Sequence, residues 1–194
     1  WGYEPERPQR EQKYLTADEL ELMMTTPLHN ARLYIIRDLF LFSCYTGISY
    51  GDMCLLTKDD LVTDENGTLW IRTSRKKTKV EYEVPLLEVP LHILSKYRDV
   101  EPNGKLLPMY CNSDVNKYLK TIATKCGINR RIVFHAARHT YATEITLSHG
   151  VPLETVSKML GHTRVDTTQI YAKVTDDKIN ADTKRLENKI SERF

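Results

Sequence analysis

No stretch of this chain stays apolar for anything near the roughly 20 residues that a membrane-spanning helix needs. The longest apolar patch, Leu33 to Tyr45, is broken by Arg37 and Asp38. No secretory leader opens the sequence, and it starts at Trp1 without an initiator Met, so it reads as an excised piece of a longer protein. Cysteine is scarce. Cys44, Cys54, Cys111 and Cys126 show no C-x-x-C spacing and no paired histidines nearby, which speaks against a zinc framework or a disulfide scaffold. Reduced thiols in a cytoplasmic protein are the expectation. No Asp/Glu cluster demands a divalent ion, and no internal repeat is visible. A large net charge is also missing: 28 Lys and Arg against 26 Asp and Glu leave +2, too little to imply a nucleic-acid partner by itself.

What is present is a chain of 194 residues, 41% hydrophobic, enough for one ordinary domain with a sizeable core. Its positive charge is concentrated locally, with Arg72, Arg75, Lys76, Lys77 and Lys79 inside eight residues. The opening WGYEPERPQREQKY is polar and carries two prolines, the composition of a linker. Thr16 and Glu19 have capping-box spacing, with Leu20, Met23 and Met24 at helical spacing behind them. Ala31 to Tyr45 is apolar around most of its circumference, as a central buried helix would be, and Gly47 is placed to end it. Thr57 and Asp60 repeat the capping pattern before a short turn.

Leu69–Thr73 and Val80–Val84 read as strands, the second alternating apolar with acidic residues. The basic block between them lies at the tip of a hairpin whose lack of Gly implies a longer loop. The remainder is helical. Leu91, Leu94 and Tyr97 form one face behind Pro90, and Ser113 caps a helix carrying Val115, Tyr118, Leu119 and Ile122. Further helices are expected at His135–Ser148, Pro152–Leu160, Thr168–Lys173 and from Asp176 onward.

Chemistry concentrates in the C-terminal half, in His135-x-x-Arg138, then Leu160-Gly161-His162, then Thr167-Thr168-x-x-Tyr171. Residues three apart on a helix share a face, so His135 and Arg138 address one group together. His162 follows a helix end, and Tyr171 sits on a short separate segment. A phenol has a pKa of about 10, so only around 0.1% is ionised at pH 7, and attack on phosphorus needs neighbouring help. A guanidinium grips two phosphate oxygens and stays charged, which suits a transition state of spread negative charge.

The runs FHAARHTYATE and LGHTRVDTTQIYAKV, with TGISYGD upstream, resemble the signature boxes of the tyrosine recombinases, the phage-type integrases. The resemblance covers residues 14–175 in the family's order. It implies a mainly α fold with a small antiparallel β-sheet (α+β), that of the family's catalytic domain. It also implies strand cleavage and rejoining of DNA through a 3′-phosphotyrosyl intermediate, with no metal or cofactor. Carried over by position, Tyr171 is the nucleophile and Arg138 a phosphate-binding arginine. His135 and His162 donate hydrogen bonds or move protons. Lys77, with Lys76 as the alternative, is the general acid for the leaving 5′-oxygen, and Asp52 braces the site. Lys76, Lys79 and Arg72 are expected on the DNA backbone.

One position departs from the pattern. Ser49 stands where most of the family has its first catalytic arginine, a feature shared with some conjugative-transposon integrases, which this sequence resembles most. Arg75 is the foremost candidate to replace it: were the strand to run through the basic block, Arg75 and Lys77 would face one way and Arg72 the other. The resemblance further implies that residues 1–13 link to a DNA-clamping domain, that 14–175 form the catalytic domain, and that 176–194 form a tail docking on a neighbouring subunit through Ile179, Leu186 and Ile190. Partners would be double-stranded attachment sites, three further copies in a tetramer, and accessory DNA-bending proteins of host or element, with the protein cytoplasmic and at the nucleoid when acting. The rival readings are a DNA-binding descendant with impaired catalysis and a type IB topoisomerase-like enzyme.

Overall fold

The structure is a computed structural model and describes residues 13–98, 104–172 and 176–192, with the side chains of 176–181 and 189 outside the description. The linker expected over residues 1–13 therefore lies outside the described residues except for Lys13.

Helix α1 (Ala17–Thr25) starts on the expected capping box, Thr16 accepting from the Glu19 N–H while Glu19 accepts from the Thr16 N–H. Helix α2 (Ala31–Thr46) is the axis of the core, with Ile36, Leu39, Phe40, Phe42 and Cys44 fully buried. The two charges that interrupt its apolar run are both used. Arg37 donates to the Thr26 carbonyl at 2.7 Å, which closes the α1–α2 turn. Asp38 accepts from the Tyr97 hydroxyl at 2.9 Å and pairs with Lys96 at 3.1 Å, which clamps α4 (Glu88–Tyr97) onto α2. The buried face of α4 is Pro90, Ile93 and Tyr97; Leu91, expected on that face, points outward.

After the one-turn helix α3 (Tyr50–Met53) comes a three-stranded antiparallel sheet in the order β1 (Leu61–Thr63), β2 (Leu69–Ser74), β3 (Glu81–Pro85). Ile71 pairs with Val84 and Thr73 with Tyr82. Strand β1 escaped the sequence reading: three residues at a sheet edge are too few to show alternation. Strand β2 stops at Ser74, so it does not continue through the basic block. Instead the Arg75 N–H donates to the Val80 carbonyl and the Lys79 N–H to the Arg75 carbonyl, both at 2.8 Å, with Lys79 in the left-handed region at φ 60°.

Helix α5 (Asn112–Lys125) begins one residue before the expected cap, so Ser113 lies in its first turn. The segment expected as one plain helix after His135 is continuous but not uniform: α6 (Ala136–Thr140) runs into a π-helical stretch, Tyr141–Thr146, then a 3-10 turn, Leu147–His149. Thr146 donates to both the Tyr141 and Ala142 carbonyls, at 3.0 and 2.8 Å, satisfying acceptors that the wider turn leaves open. Helices α7 (Leu153–Met159), α8 (Asp166–Gln169) and α9 (Asp176–Ser191) complete the chain. Tyr171 falls in the turn after α8 rather than within a helix. No helix among the described residues is long and apolar enough to cross a membrane, and all four cysteines are free.

Gly47 ends α2 at φ 71°, and a Cβ there would drive into the Tyr141 ring. Gly127, at φ 74°, has open space around the same position. Alanine at Gly127 should cost about 1–2 kcal/mol for the left-handed backbone alone. Alanine at Gly47 should add roughly 1–3 kcal/mol of overlap. The expected outcome in thermal melts is a larger Tm loss at Gly47 than at Gly127, by roughly 1–3 kcal/mol of stability; equal losses would show that the Tyr141 contact gives way freely.

Candidate active site

Arg138 is the most deeply buried cation among the described residues. It is 3% exposed, and its guanidinium donates to the Gly47 carbonyl at 2.7 Å and the Leu160 carbonyl at 2.6 Å. The ends of α2 and α7 thus hold a residue of α6. Burial, then the nearby charge of Arg75, lower its pKa to about 10.

His162 lies 3.0 Å from Arg138 through Nε2 and 2.7 Å from the Thr168 hydroxyl through Nδ1. Arginine only donates, so Nε2 accepts, which places the ring proton on Nδ1, donated to Thr168. The ring is neutral for a physical reason: burial and the charges of Arg138 and Arg75 push its pKa to about 4. Thr168, fully buried on α8, orients this histidine; it belongs to the quoted Thr167-Thr168-x-x-Tyr171 series but carries no role in the sequence reading.

Asp52, 3% exposed, gathers the hairpin. Its Oδ1 accepts the Lys76 backbone N–H at 2.8 Å; its Oδ2 accepts the Tyr82 hydroxyl at 3.2 Å and lies 3.2 Å from Arg75 Nη1. Ser49 has a local task, its hydroxyl accepting the Asp52 N–H at 3.4 Å as the N-cap of α3. Arg75 reaches inward beside Gly161, where a Cβ would come within 2.9 Å of both Arg75 Cγ and the Tyr82 ring. Its Nη1 is buried without an aligned hydrogen bond.

Tyr171 is 8% exposed. Burial raises its phenol above the usual 10; Arg138, by charge and hydrogen bond, and then Arg75, pull it back. The His139 ring stands edge-to-face with Tyr171 at 5.0 Å and with His135 at 4.8 Å. Burial, His135, Lys13 and Arg138 push His139 to about 4, and burial followed by Arg138, Arg75 and Lys13 lowers His135. Arg138 and His135 also line an open cavity of about 370 Å³, with Ser49, Tyr50, Asn112 and Asn116 among its other walls.

The structure thus brings together Tyr171, Arg138, His135, His162, Arg75 and Asp52, with Ser49 at the edge. It does not bring in Lys77, which stands exposed on the hairpin loop with no hydrogen bond or ion pair among the described residues. The premise that aligned it with Arg75 fails because the strand ends at Ser74. Lys76 and Lys79 are exposed on the same loop, and Arg72 points to the outer face, paired with Glu83 at 3.1 Å. Tyr141, the other tyrosine near these motifs, is a core residue, 2% exposed. His139, Thr168, Tyr82 and Lys13 are the additions. For His139 the signal was legible, since it lies four residues after His135 and therefore on the same helix face.

A buried phenol facing two guanidinium groups, with neutral imidazoles around it and the Asp52 carboxylate on one of the guanidiniums, makes a centre of net positive charge. Residues 13–178 match the Phage integrase family, and the chain belongs to that family. It is 29% identical over 186 residues to Tyrosine recombinase XerC of Neisseria gonorrhoeae, a match covering 90% of this chain and 59% of that protein. The chain therefore spans about three fifths of the length of that relative. The crystal structure of XerA recombinase superposes with a TM-score of 0.72 at 25% identity, over 94% of this chain and 66% of that one. The Tn1549 transposon integrase, solved in complex with a circular intermediate DNA, shares the fold with a TM-score of 0.65 at 17% identity, over 94% and 68% of the two chains. The mainly helical fold with its small antiparallel sheet is thus the one that the sequence implied.

The depressed histidines make stability depend on pH. An unfolded histidine takes its proton near 6.5, whereas His139 and His162 in the fold do so only near 4. Between these values the unfolded chain binds more protons, so stability falls as pH drops from about 6.5 toward 4 and levels off below. The Tm loss between pH 7 and pH 4.5 is expected to shrink in H139F, which has nothing to protonate there. An undiminished loss would place His139 in a solvated setting.

Proposed function

We propose that this chain is the catalytic domain of a site-specific DNA recombinase that cleaves and rejoins double-stranded DNA through a 3′-phosphotyrosyl bond at Tyr171. The observation that carries the reading is the space shared by Arg75, Arg138 and Tyr171, in which, among the described residues, the Asp52 carboxylate stands against two guanidinium groups. A phosphodiester complements the excess positive charge. Arg138, fixed on two carbonyls, and Arg75, fixed on Asp52, grip its non-bridging oxygens, so Arg75 does from the hairpin what Ser49 cannot. The Tyr171 oxygen bonds to phosphorus and its proton passes to His135 or His162, both favoured as neutral rings. The bond to the 5′-oxygen breaks and that oxygen takes a proton from Lys77, or from Lys76, once DNA covers the hairpin. The phosphodiester energy is kept in the tyrosyl ester, and reversal by another strand's 5′-hydroxyl completes the exchange. We assign Lys76, Lys79 and Arg72 to contacts with the DNA backbone.

In the assembly we envisage, residues 1–13 lead from a DNA-clamping domain, and 14–175 form the catalytic domain. Four copies meet on two duplexes with accessory DNA-bending proteins, in the cytoplasm at the nucleoid. Helix α9 is the docking tail: Leu186 and Ile190 are 58% and 48% exposed, while the Ile179 side chain lies outside the description. Deleting residues 177–194 should weaken cooperative assembly on DNA in gel-shift titrations while leaving Tm nearly unchanged; the reverse would make α9 a part of this domain's own packing.

The direct test is covalent capture. The chain is incubated with nicked duplexes carrying randomised arms, and DNA that partitions with denatured protein is sequenced. An adduct with recurrent flanking sequence, lost in Y171F with binding kept within a few-fold, is the expected result. Binding without adduct favours the catalytically impaired descendant, a reading that the helix-capping role of Ser49 makes specific. Relaxation of plasmid without a preferred site points to a topoisomerase instead. On the captured duplex, R75A at saturating protein should lose at least about a hundredfold in single-turnover cleavage, since a transition-state arginine in phosphoryl transfer is worth on the order of 10³ to 10⁵ in rate. A rate within fivefold of the parent would reduce Arg75 to a backbone contact.

A further inference from the structure

We propose that His139 is a positioning residue for the nucleophile, its ring fixing where the Tyr171 ring stands relative to Arg138 and Arg75. The inference rests on the reading of Tyr171 above and concerns a residue outside the set carried over from the family.

His139 directly follows Arg138 and lies one helical turn after His135. Its ring meets His135 at 4.8 Å and 89°, and Tyr171 at 5.0 Å and 72°. Both contacts are edge-to-face, the arrangement that the quadrupoles of aromatic rings favour. The imidazole makes no side-chain hydrogen bond among the described residues, so its shape and polarisation, rather than a donor or acceptor, are what it contributes. The nucleophile's own segment gives it little. Helix α8 has four residues, among the described residues the Tyr171 backbone bonds only to the Thr168 carbonyl, and the preceding Ile170 is 67% exposed. The α6 frame is rigid by comparison, since Arg138 on it is bonded to two carbonyls. Arg138 meets the phenol oxygen from this frame, and His139 adds a contact to the ring, so that two points of α6 set where the phenol of a short segment stands.

The charge of this ring matters as well. The titratable groups that face it are His135, Lys13, Arg138 and Tyr171. Two of these are cationic, so a neutral ring stacks where an imidazolium would be repelled. This agrees with its proton affinity, lowered by burial and then by those neighbours.

The test uses the whole chain and a nicked duplex recovered by covalent capture, with protein saturating, and compares single-turnover adduct formation for the parent, Y171F, H139A, H139F and H139L. H139A is expected to slow adduct formation about tenfold or more with DNA affinity within twofold. H139F should recover most of that rate, because it restores a ring, and H139L should not, because it restores only bulk. A split between chemistry and binding, with rescue by an aromatic residue alone, is what a merely structural side chain would not produce. H139A within twofold of the parent overturns the proposal. So does recovery by H139L equal to that by H139F, or failure of H139F to recover, which would assign the ring nitrogens a proton-moving role. Should H139A not fold, the contrast of H139F with H139L decides alone. A parent that captures no DNA, or a Y171F protein that still does, overturns the reading of Tyr171 itself, an outcome distinct from any of these.

Discussion

Arg138 is where the fold and the site become one problem. A guanidinium so deeply buried would be costly without partners, and it finds them in main-chain carbonyls at the end of α2 and the end of α7. Those carbonyls are available because each belongs to a helix terminus, where the last C=O groups have no intrahelical donor. The two bonds spend orphan acceptors on a cation that cannot lose its charge at neutral pH, and in doing so set the spacing of three helical segments. Gly47 is part of the same constraint. Its carbonyl receives Arg138, while its bare Cα leaves room for Tyr141, three residues along from Arg138.

The other cation reaches the same space by a different route. Arg75 comes from a hairpin and depends on Asp52, which also binds the hairpin's backbone at Lys76 and the hydroxyl of Tyr82. One carboxylate thus ties α3 to the sheet and neutralises part of the charge that the site accumulates. Ser49, capping the helix that carries Asp52, supports Arg75 at one remove. Position 49 thus serves the scaffold, and the second guanidinium of this space comes from the hairpin instead.

Much of this was legible in the sequence wherever a rule is local. Capping at Thr16, the arrest of α2 at Gly47 and the hairpin pairing around the basic block all follow from spacing within a few residues. The motif residues His135, Arg138, His162 and Tyr171 converge as their order implied. What escaped depends on distant chain segments or on backbone detail. The inward path of Arg75 exists because Gly161, far along the chain, has no side chain, and no pattern around Arg75 announces that. The placement of Lys77 turned on whether β2 continued past Ser74, and strand ends are poorly marked when the residues beyond are long and charged. The π-helical stretch after Thr140 leaves almost no trace in periodicity, because a single wide turn shifts the register once.

Leu15, fully buried, donates its N–H to the Thr140 hydroxyl at 2.9 Å, and that hydroxyl donates in turn to the Ala136 carbonyl at 2.8 Å. The main chain therefore enters the domain through a relay of polar groups that ends inside the helix bearing Arg138 and His139. Beside it, Arg130 donates to the Tyr14 carbonyl at 2.7 Å. Mechanically, this entry behaves as a tendon inserted near the working joint. Tension along the backbone upstream of Leu15 would load α6 and Arg130 together, through the two sides of one peptide group, before it spread through the apolar core, because aligned hydrogen bonds are stiff in direction while dispersion contacts are not.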